Sequence, residues 1–218
     1  MILEGKRLFK SYGELNVLKG IDIGIDKGEI VSIVGASGAG KSTLLHILGT
    51  LDNSDQGDIF IKGQNVTKLN SNQLARFRNV NIGFVFQFHN LLPEFSAMEN
   101  ICIPGYISKL NTKEVEDKAE NLMELLGIID RRNNKPSELS GGEQQRASVA
   151  RALVNNPEIV FADEPSGNLD SKNANELHEL FFKLREELNQ TFVIVTHNEQ
   201  LAQMADRILE IKDGLIVK

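Results

Sequence analysis

The chain of 218 residues has no tryptophan, one cysteine, two tyrosines and five prolines. A lone thiol, Cys102, excludes an internal disulfide and fits a reducing compartment. No apolar run approaches the roughly 20 residues that span a bilayer. Residues Met1 to Tyr12 carry Glu4, Lys6, Arg7 and Lys10 and lack the apolar stretch of a secretory signal. The expected location is therefore the cytosol, with any membrane role acting through a partner. Positive charge is also in deficit: 24 Lys plus Arg stand against 30 Asp plus Glu, a formal net charge of −6. That balance argues against a general nucleic-acid binder, whose affinity comes mostly from basic contacts to phosphates. A local basic site for a small phosphate ligand stays open. Hydrophobic residues at 41% and charged residues at 25% are ordinary globular usage and exclude disorder. The length suits one large domain, or one domain with a sizeable insertion.

Strand and helix patterns alternate along the chain. Lys19 to Asp26 and Gly57 to Gly63 read as strands, the second bounded by glycine breaks. Glu29 to Val34, Ile82 to Phe86, Ile159 to Ala162 and Phe192 to Val195 are continuously apolar, as strands buried on both faces of a parallel sheet are. Asp213-Gly214 between Ile208–Lys212 and Leu215–Val217 signals a hairpin. Helical stripes run from Thr112 to Leu126, stopped by Gly127, and from Asn173 to Asn189. From about Leu91 to Val154 no strand is evident, so this stretch reads as a helical insertion into an α/β core. With no low-complexity tract or linker around it, the insertion is expected to pack on that core.

Gly35, Ala36, Ser37, Gly38, Ala39, Gly40, Lys41 and Ser42 match G-x-x-x-x-G-K-S/T, and Thr43 continues into a helical run. The match follows an apolar strand and opens a helix, which is the context such a loop needs. Glycines at 35, 38 and 40 let the backbone curl so that several N–H groups meet one anion. The helix N-terminus adds unpaired N–H groups and a positive dipole end. Lys41 then supplies charge to the outer phosphates, and Ser42 a hydroxyl ligand for Mg²⁺. Asp163 and Glu164 close the apolar strand from Ile159, at the carboxyl end where ligands of parallel sheets bind. Asp163 is expected to hold Mg²⁺ through water, and Glu164 to polarise the attacking water. These features define a nucleoside triphosphate hydrolase without selecting among families.

Ser140 and Glu143 form an S-x-x-E capping box that starts a helix. Gly141 and Gly142 are poor first-turn residues, so something is expected to approach the backbone there. This helix start reads as a second phosphate grip. The residues alone leave open whether the two grips close within one chain or between two.

The phosphate loop, the stretch Leu139-Ser-Gly-Gly-Glu-Gln144 and the Asp163-Glu164 pair together resemble the ATP-binding cassette of ABC transporters. The resemblance implies an α/β P-loop core with a mainly parallel sheet, an N-terminal antiparallel β portion and a helical subdomain. On this chain it implies one domain over 1–218, with the core at about 1–90 and 155–218 and the helices at about 91–154. It also implies that Tyr12 stacks on adenine, that Gln87 reaches the metal and senses the γ-phosphate, and that His197 contacts the γ-phosphate. Ser166 to Asp170 would cross a dimer interface. Two cassettes would face head to tail, with ATP and Mg²⁺ between the phosphate loop of one and the Ser140 region of the other. Integral membrane permease subunits would be the partners, at the cytoplasmic side of the inner membrane.

The run from Phe86 to Ile101, together with Lys135–Leu139, Arg151–Pro157 and Ser166–Asp170, is similar to the lipoprotein-releasing branch of that family. Macrolide and peptide exporters and division-associated cassettes are sister branches and the alternative reading. Asn90 stands where a second histidine is common, and Ser166 where many relatives have threonine. Because the chain carries no membrane helices up to Lys218, a separate subunit is expected rather than a fusion. Phe88, Leu91, Leu92, Phe95 and Met98 are more apolar than a free loop requires and are the expected docking surface for a helix of the membrane partner. Soluble ABC-type ATPases acting on DNA or ribosomes are disfavoured by the lack of a heptad run and of duplicated motifs. A P-loop kinase leaves Leu139–Gln145, Ser166–Asp170 and His197 without a role.

Overall fold

The structure, a computed structural model, describes residues 1–217, and Lys218 lies outside the described residues. The chain opens with strands β1 (Leu3–Tyr12), β2 (Leu15–Ile25) and β3 (Ile30–Val34), followed by helix α1 (Lys41–Leu48). Strands β4 (Gln56–Ile61) and β5 (Gln64–Asn65), helix α2 (Ser71–Asn81) and strand β6 (Ile82–Phe86) come next. Three helices follow: α3 (Ala97–Ile107), α4 (Thr112–Leu125) and α5 (Gly141–Leu153). The chain then returns through β7 (Ile159–Asp163), α6 (Ser171–Leu188), β8 (Thr191–Val195), α7 (Glu199–Met204), β9 (Arg207–Lys212) and β10 (Leu215–Ile216).

Two sheets result. A four-stranded antiparallel sheet has the order β2-β1-β4-β5, and a six-stranded sheet the order β10-β9-β3-β8-β7-β6. In the second, β3, β6, β7, β8 and β9 run parallel, and only the β9–β10 hairpin is antiparallel. The expected α/β class, the parallel sheet and the N-terminal antiparallel portion are all present. The apolar runs form β3, β8 and β7 inside the sheet and β6 at its edge, with both faces of these strands covered. Along β8, Phe192 and Ile194 enter one apolar cluster with α3 to α6, while Val193 and Val195 enter a second with α1 and the antiparallel sheet. The inserted helices therefore share a core with one face of the parallel sheet.

Two elements carry no plain sequence signal. In β1 the buried positions run Leu3, Gly5, Leu8, Lys10, so the alternation changes phase between residues 5 and 8. The pairing with β2 shifts register there, and Arg7 adopts φ +47, as a bulge requires. Helix α2 buries none of its residues, so no apolar stripe marks it; Asn70 and Gln73 cap it reciprocally instead.

Candidate functional site

Register brings the site together. Ile33 of β3 lies beside Val195 of β8, Val195 beside Asp163 of β7, and Asp163 beside Phe86 of β6. Parallel strands in step end in step, so the residues just beyond them emerge along one edge. Those residues are Gly35, Glu164 and Gln87, with His197 two positions past the end of β8. Four of the expected positions, up to 162 residues apart in the chain, are thus placed at one sheet edge.

The loop from Gly35 to Gly40 leads from β3 into α1. A side chain at Gly35 would collide with the Ile211 carbonyl oxygen of β9, and φ there is +147, so only glycine fits. Of the α-helices among the described residues, α1 alone has no side-chain cap: Gly40 stands at its N-cap, where Asn70, Ser96, Asn111, Ser140, Asp170 and Asn198 cap the others. Its first-turn N–H groups are left for an anion. Lys41 is buried, and its Nζ donates to the Ala36 carbonyl at 3.0 Å, which holds the ammonium inside the loop. Ala36, Ser37, Gly38 and Ala39 line a cleft of about 510 Å³ with Asn16, Val17 and Asp213.

The Ser42 hydroxyl donates to Asp163 Oδ1 at 3.0 Å, so the two expected metal ligands meet across 121 residues of chain. His46 Nε2 lies 3.4 Å from the other Asp163 oxygen. Next to this pair, Glu164 Oε1 is 2.9 Å from His197 Nε2. Glu164 takes the left-handed conformation, φ +46, while its N–H donates to the Val195 carbonyl at 2.9 Å. A non-glycine residue at positive φ is uncommon, and here it turns the side chain away from the line of β7. Glu164, Ser166, Thr196 and His197 border a cleft of about 430 Å³.

Gln87 donates from Nε2 to Asn168 Oδ1 at 3.1 Å, and Asn168 Nδ2 donates back to the Gln87 carbonyl at 3.2 Å. Tyr12, at the end of β1, donates its hydroxyl to Asp52 at 2.5 Å, and the Thr43 hydroxyl neighbours the same phenol.

The Ser140 helix start is capped by its own residues. Its hydroxyl accepts from the Glu143 N–H at 3.3 Å and donates to the Glu143 carboxylate at 2.8 Å. Arg131 Nε, 2.8 Å from Glu143, holds that carboxyl down to about 2, with the Ser140 N–H and hydroxyl adding to the effect. Gly142 is needed for packing, since a Cβ there would press on Asn173 of α6, whereas Ser140 and Gly141 are exposed. The neighbours of this turn are thus Arg131, Leu169 and Asn173.

Sequence reasoning gave no role to Asp52, His46, Arg131 and His178, and reached Asn168 only as part of the Ser166–Asp170 run. His178 is buried in α6 with Nε2 3.0 Å from the Ser166 hydroxyl, and burial pushes its pKa below the ordinary value. Those four belong to no spaced motif, and each pairs with a residue at least 12 positions away.

A glycine loop that ends a parallel strand, an uncapped helix behind it, and a hydroxyl–carboxylate pair at the same sheet edge define a P-loop nucleotide-binding domain. Within that class the chain belongs to the ABC transporter family, whose model matches residues 18–167. It is 59% identical to the lipoprotein-releasing system ATP-binding protein LolD of Cytophaga hutchinsonii, over 99% of each chain. The LolD protein of Porphyromonas gingivalis is 58% identical, again over 99% of each. Among solved structures, the dimeric bacterial ABC transporter cassette MJ0796 is similar with a TM-score of 0.90 and 39% identity, over 99% of this chain and 97% of that one. A post-hydrolysis dimer of MJ0796 bound to ADP and Pi matches at a TM-score of 0.89 and 38% identity, with the same coverage.

Proposed function

We propose that this chain is the ATP-hydrolysing subunit of a membrane complex that releases lipoproteins from the inner membrane. The observation that carries the transport assignment is the full-length identity to LolD proteins. The Ser42–Asp163 and Glu164–His197 pairs at one sheet edge support the hydrolytic part.

In this reading the backbone of residues 35–43 and the Lys41 ammonium hold the triphosphate, and Tyr12 stacks on the base. Mg²⁺ is a hard cation that takes oxygen ligands. The Ser42 hydroxyl, the Asp163 carboxylate and the Gln87 side-chain carbonyl, whose amide nitrogen is engaged by Asn168, form a donor set of that kind. When bound, the ion would offset the negative charge of the phosphates. Glu164 orients the attacking water and takes its proton, and His197 fixes the carboxylate while facing the γ-phosphate. Positioning and charge stabilisation suffice for this chemistry, without a covalent intermediate on the protein.

Ser140, Gly141 and Gly142 serve the ATP bound to a second copy, in a head-to-tail dimer. The exposure of Ser140 and Gly141 and their neighbours Leu169 and Asn173 support a grip that closes between chains. Glu143 keeps the turn capped. Residues 1–90 and 155–218 act as the core and 91–154 as the helical subdomain.

No described helix is long and apolar enough to cross a membrane, and we place the chain on the cytoplasmic face, bound to integral permease subunits. Of the apolar residues expected to dock them, Phe88, Leu92 and Phe95 are exposed, while Leu91 and Met98 pack on the core. A groove of about 480 Å³ lined by Leu51, Phe84, Phe86, Ile107 and Arg151 lies beside Asn90 and extends the surface.

The test is reconstitution with the membrane subunits in vesicles carrying a lipoprotein. ATP is expected to drive release into solution, Glu164→Gln to abolish it, and Leu92→Asp to uncouple it while sparing the ATPase activity of the isolated chain. With ATP and Mg²⁺, Glu164→Gln should run as a dimer on size exclusion. Release that ignores ATP, or a strictly monomeric Glu164→Gln, overturns the assignment.

A further inference from the structure

Tyr12 is held from two sides. Its hydroxyl donates to Asp52 Oδ2 at 2.5 Å. The other Asp52 oxygen accepts from Lys10 Nζ at 2.9 Å and from the Asn53 N–H at 2.7 Å. Lys10 Nζ also donates to the Asn53 carbonyl at 2.6 Å and lies 5.0 Å from the centroid of the Tyr12 ring. An ammonium over an aromatic face is attracted by the ring quadrupole. Lys10 is buried, at 8% exposure, whereas Tyr12 is 51% exposed. A buried lysine is rare unless paired, and this one is paired with the carboxylate that also anchors the phenol.

The carboxylate is itself fixed to the phosphate helix. Asp52 follows α1, and its N–H donates to the His46 carbonyl of that helix at 3.2 Å. At the other end of α1, Thr43 neighbours the Tyr12 phenol. The ring is thereby tied to the helix that opens at the phosphate loop, with one face toward the ammonium.

We propose that Asp52, through the phenol hydroxyl, and Lys10, against the ring, are positioning residues that hold Tyr12 as a preformed stacking platform for the flat base of a nucleotide. The proposal rests on the nucleotide reading above and adds to it how the base subsite is built. An unheld tyrosine at a strand end samples several staggered χ1 wells and must be frozen when a base stacks on it. Freezing it in advance moves that cost from binding to folding. The platform acts on the base alone, so it contributes nothing to the grip on phosphates.

That separation supplies the test. Binding of ATP and of inorganic tripolyphosphate to the full chain is measured calorimetrically for the parent, Asp52→Ala and Tyr12→Phe. Tyr12→Phe keeps the ring and removes only a hydroxyl at a half-exposed position, so folding is not at stake. Both variants are expected to bind ATP about three- to tenfold more weakly, the cost of immobilising one side chain. Tripolyphosphate binding should be unchanged. The KM for ATP should rise by the same factor while kcat stays within about twofold. Because the chain has no tryptophan and its only tyrosines are Tyr12 and Tyr106, emission in a Tyr106→Phe background reports the phenol directly, and Asp52→Ala should alter it. Unchanged ATP affinity in both variants overturns the proposal, as does an equal loss for tripolyphosphate. A parent that binds tripolyphosphate as tightly as ATP overturns the platform and spares the phosphate loop. A parent that binds neither overturns the nucleotide reading and the platform with it.

Discussion

Gln87 and Asn168 clasp each other across two loops, the Gln87 amide donating to the Asn168 side chain at 3.1 Å and the Asn168 amide to the Gln87 backbone at 3.2 Å. The first loop follows β6 and leads into the exposed apolar residues Phe88, Leu92 and Phe95; the second follows Glu164. If the membrane subunits dock there as proposed, this pair of amides would link their surface to the loop beside the candidate base. Gln87→Ala and Asn168→Ala should each lower ATP turnover, and the double variant should lose less than the product of the two losses. The expected non-additivity is about 1 kcal/mol, roughly fivefold in rate. Strictly multiplicative losses in a double-mutant cycle would show the pair to be uncoupled.

In the proposed mechanism Glu164 accepts a proton from water, and His197 Nε2 lies 2.9 Å from its carboxylate. Glu164→Gln should reduce turnover by about 10²- to 10⁴-fold, the usual contribution of a general base, while nucleotide affinity is retained. Single-turnover hydrolysis and equilibrium binding on the same preparation separate the two. A variant that turns over at the parental rate would remove Glu164 from this role.

Gly35 is constrained by φ +147 and by the Ile211 carbonyl. Gly35→Ala should destabilise the fold by about 1–3 kcal/mol, the range for a residue forced into a sparsely populated backbone region. Nucleotide binding should be lost with it, because β9 and the loop must separate. The urea midpoint and ATP binding check both, and an unchanged midpoint is the contrary outcome.

Stability should fall in acid in two windows. His178 is buried and His89 half-buried; burial, joined at His89 by the nearby Arg151 charge, holds both below the ordinary histidine pKa of 6.5. Below 6.5 the unfolded chain takes up protons that the folded chain refuses, so unfolding gains as pH drops. Glu143, held at about 2 by Arg131 against an ordinary 4.5, favours the fold above 4.5 and loses that contribution as pH falls from 4.5 toward 2. Urea midpoints at pH 7.5, 5.5 and 4 should decline in that order. Replacing His178 with Gln should flatten the first step, and replacing Glu143 with Gln the second.

Much of this was readable from linear spacing. The glycine loop, the four apolar parallel strands, the Asp213-Gly214 hairpin and the Ser140–Glu143 box all appear where local pattern puts them. Each depends on residues within a few positions: a buried strand needs a short apolar run, and a capping box needs Ser and Glu three apart. Strand β1 was hidden because a bulge at Arg7 breaks its period of two, and α2 because it has no buried face. The docking run divided for a related reason. Five apolar side chains in sequence look alike, but packing turned Leu91 and Met98 inward and left Phe88, Leu92 and Phe95 out.

The kind of protein, its phosphate loop and its candidate carboxylates were decided by residue type and spacing alone, since each is a short run of neighbouring residues. Which side chains meet was decided only by the folded chain. Ser42 finds Asp163, Tyr12 finds Asp52 and Gln87 finds Asn168 because β3, β8, β7 and β6 lie in register and β1 brings its end to the far end of α1. Pairings across 121, 40 and 81 residues follow sheet order. No periodicity in a sequence encodes sheet order, because it emerges from how all the apolar faces are buried at once.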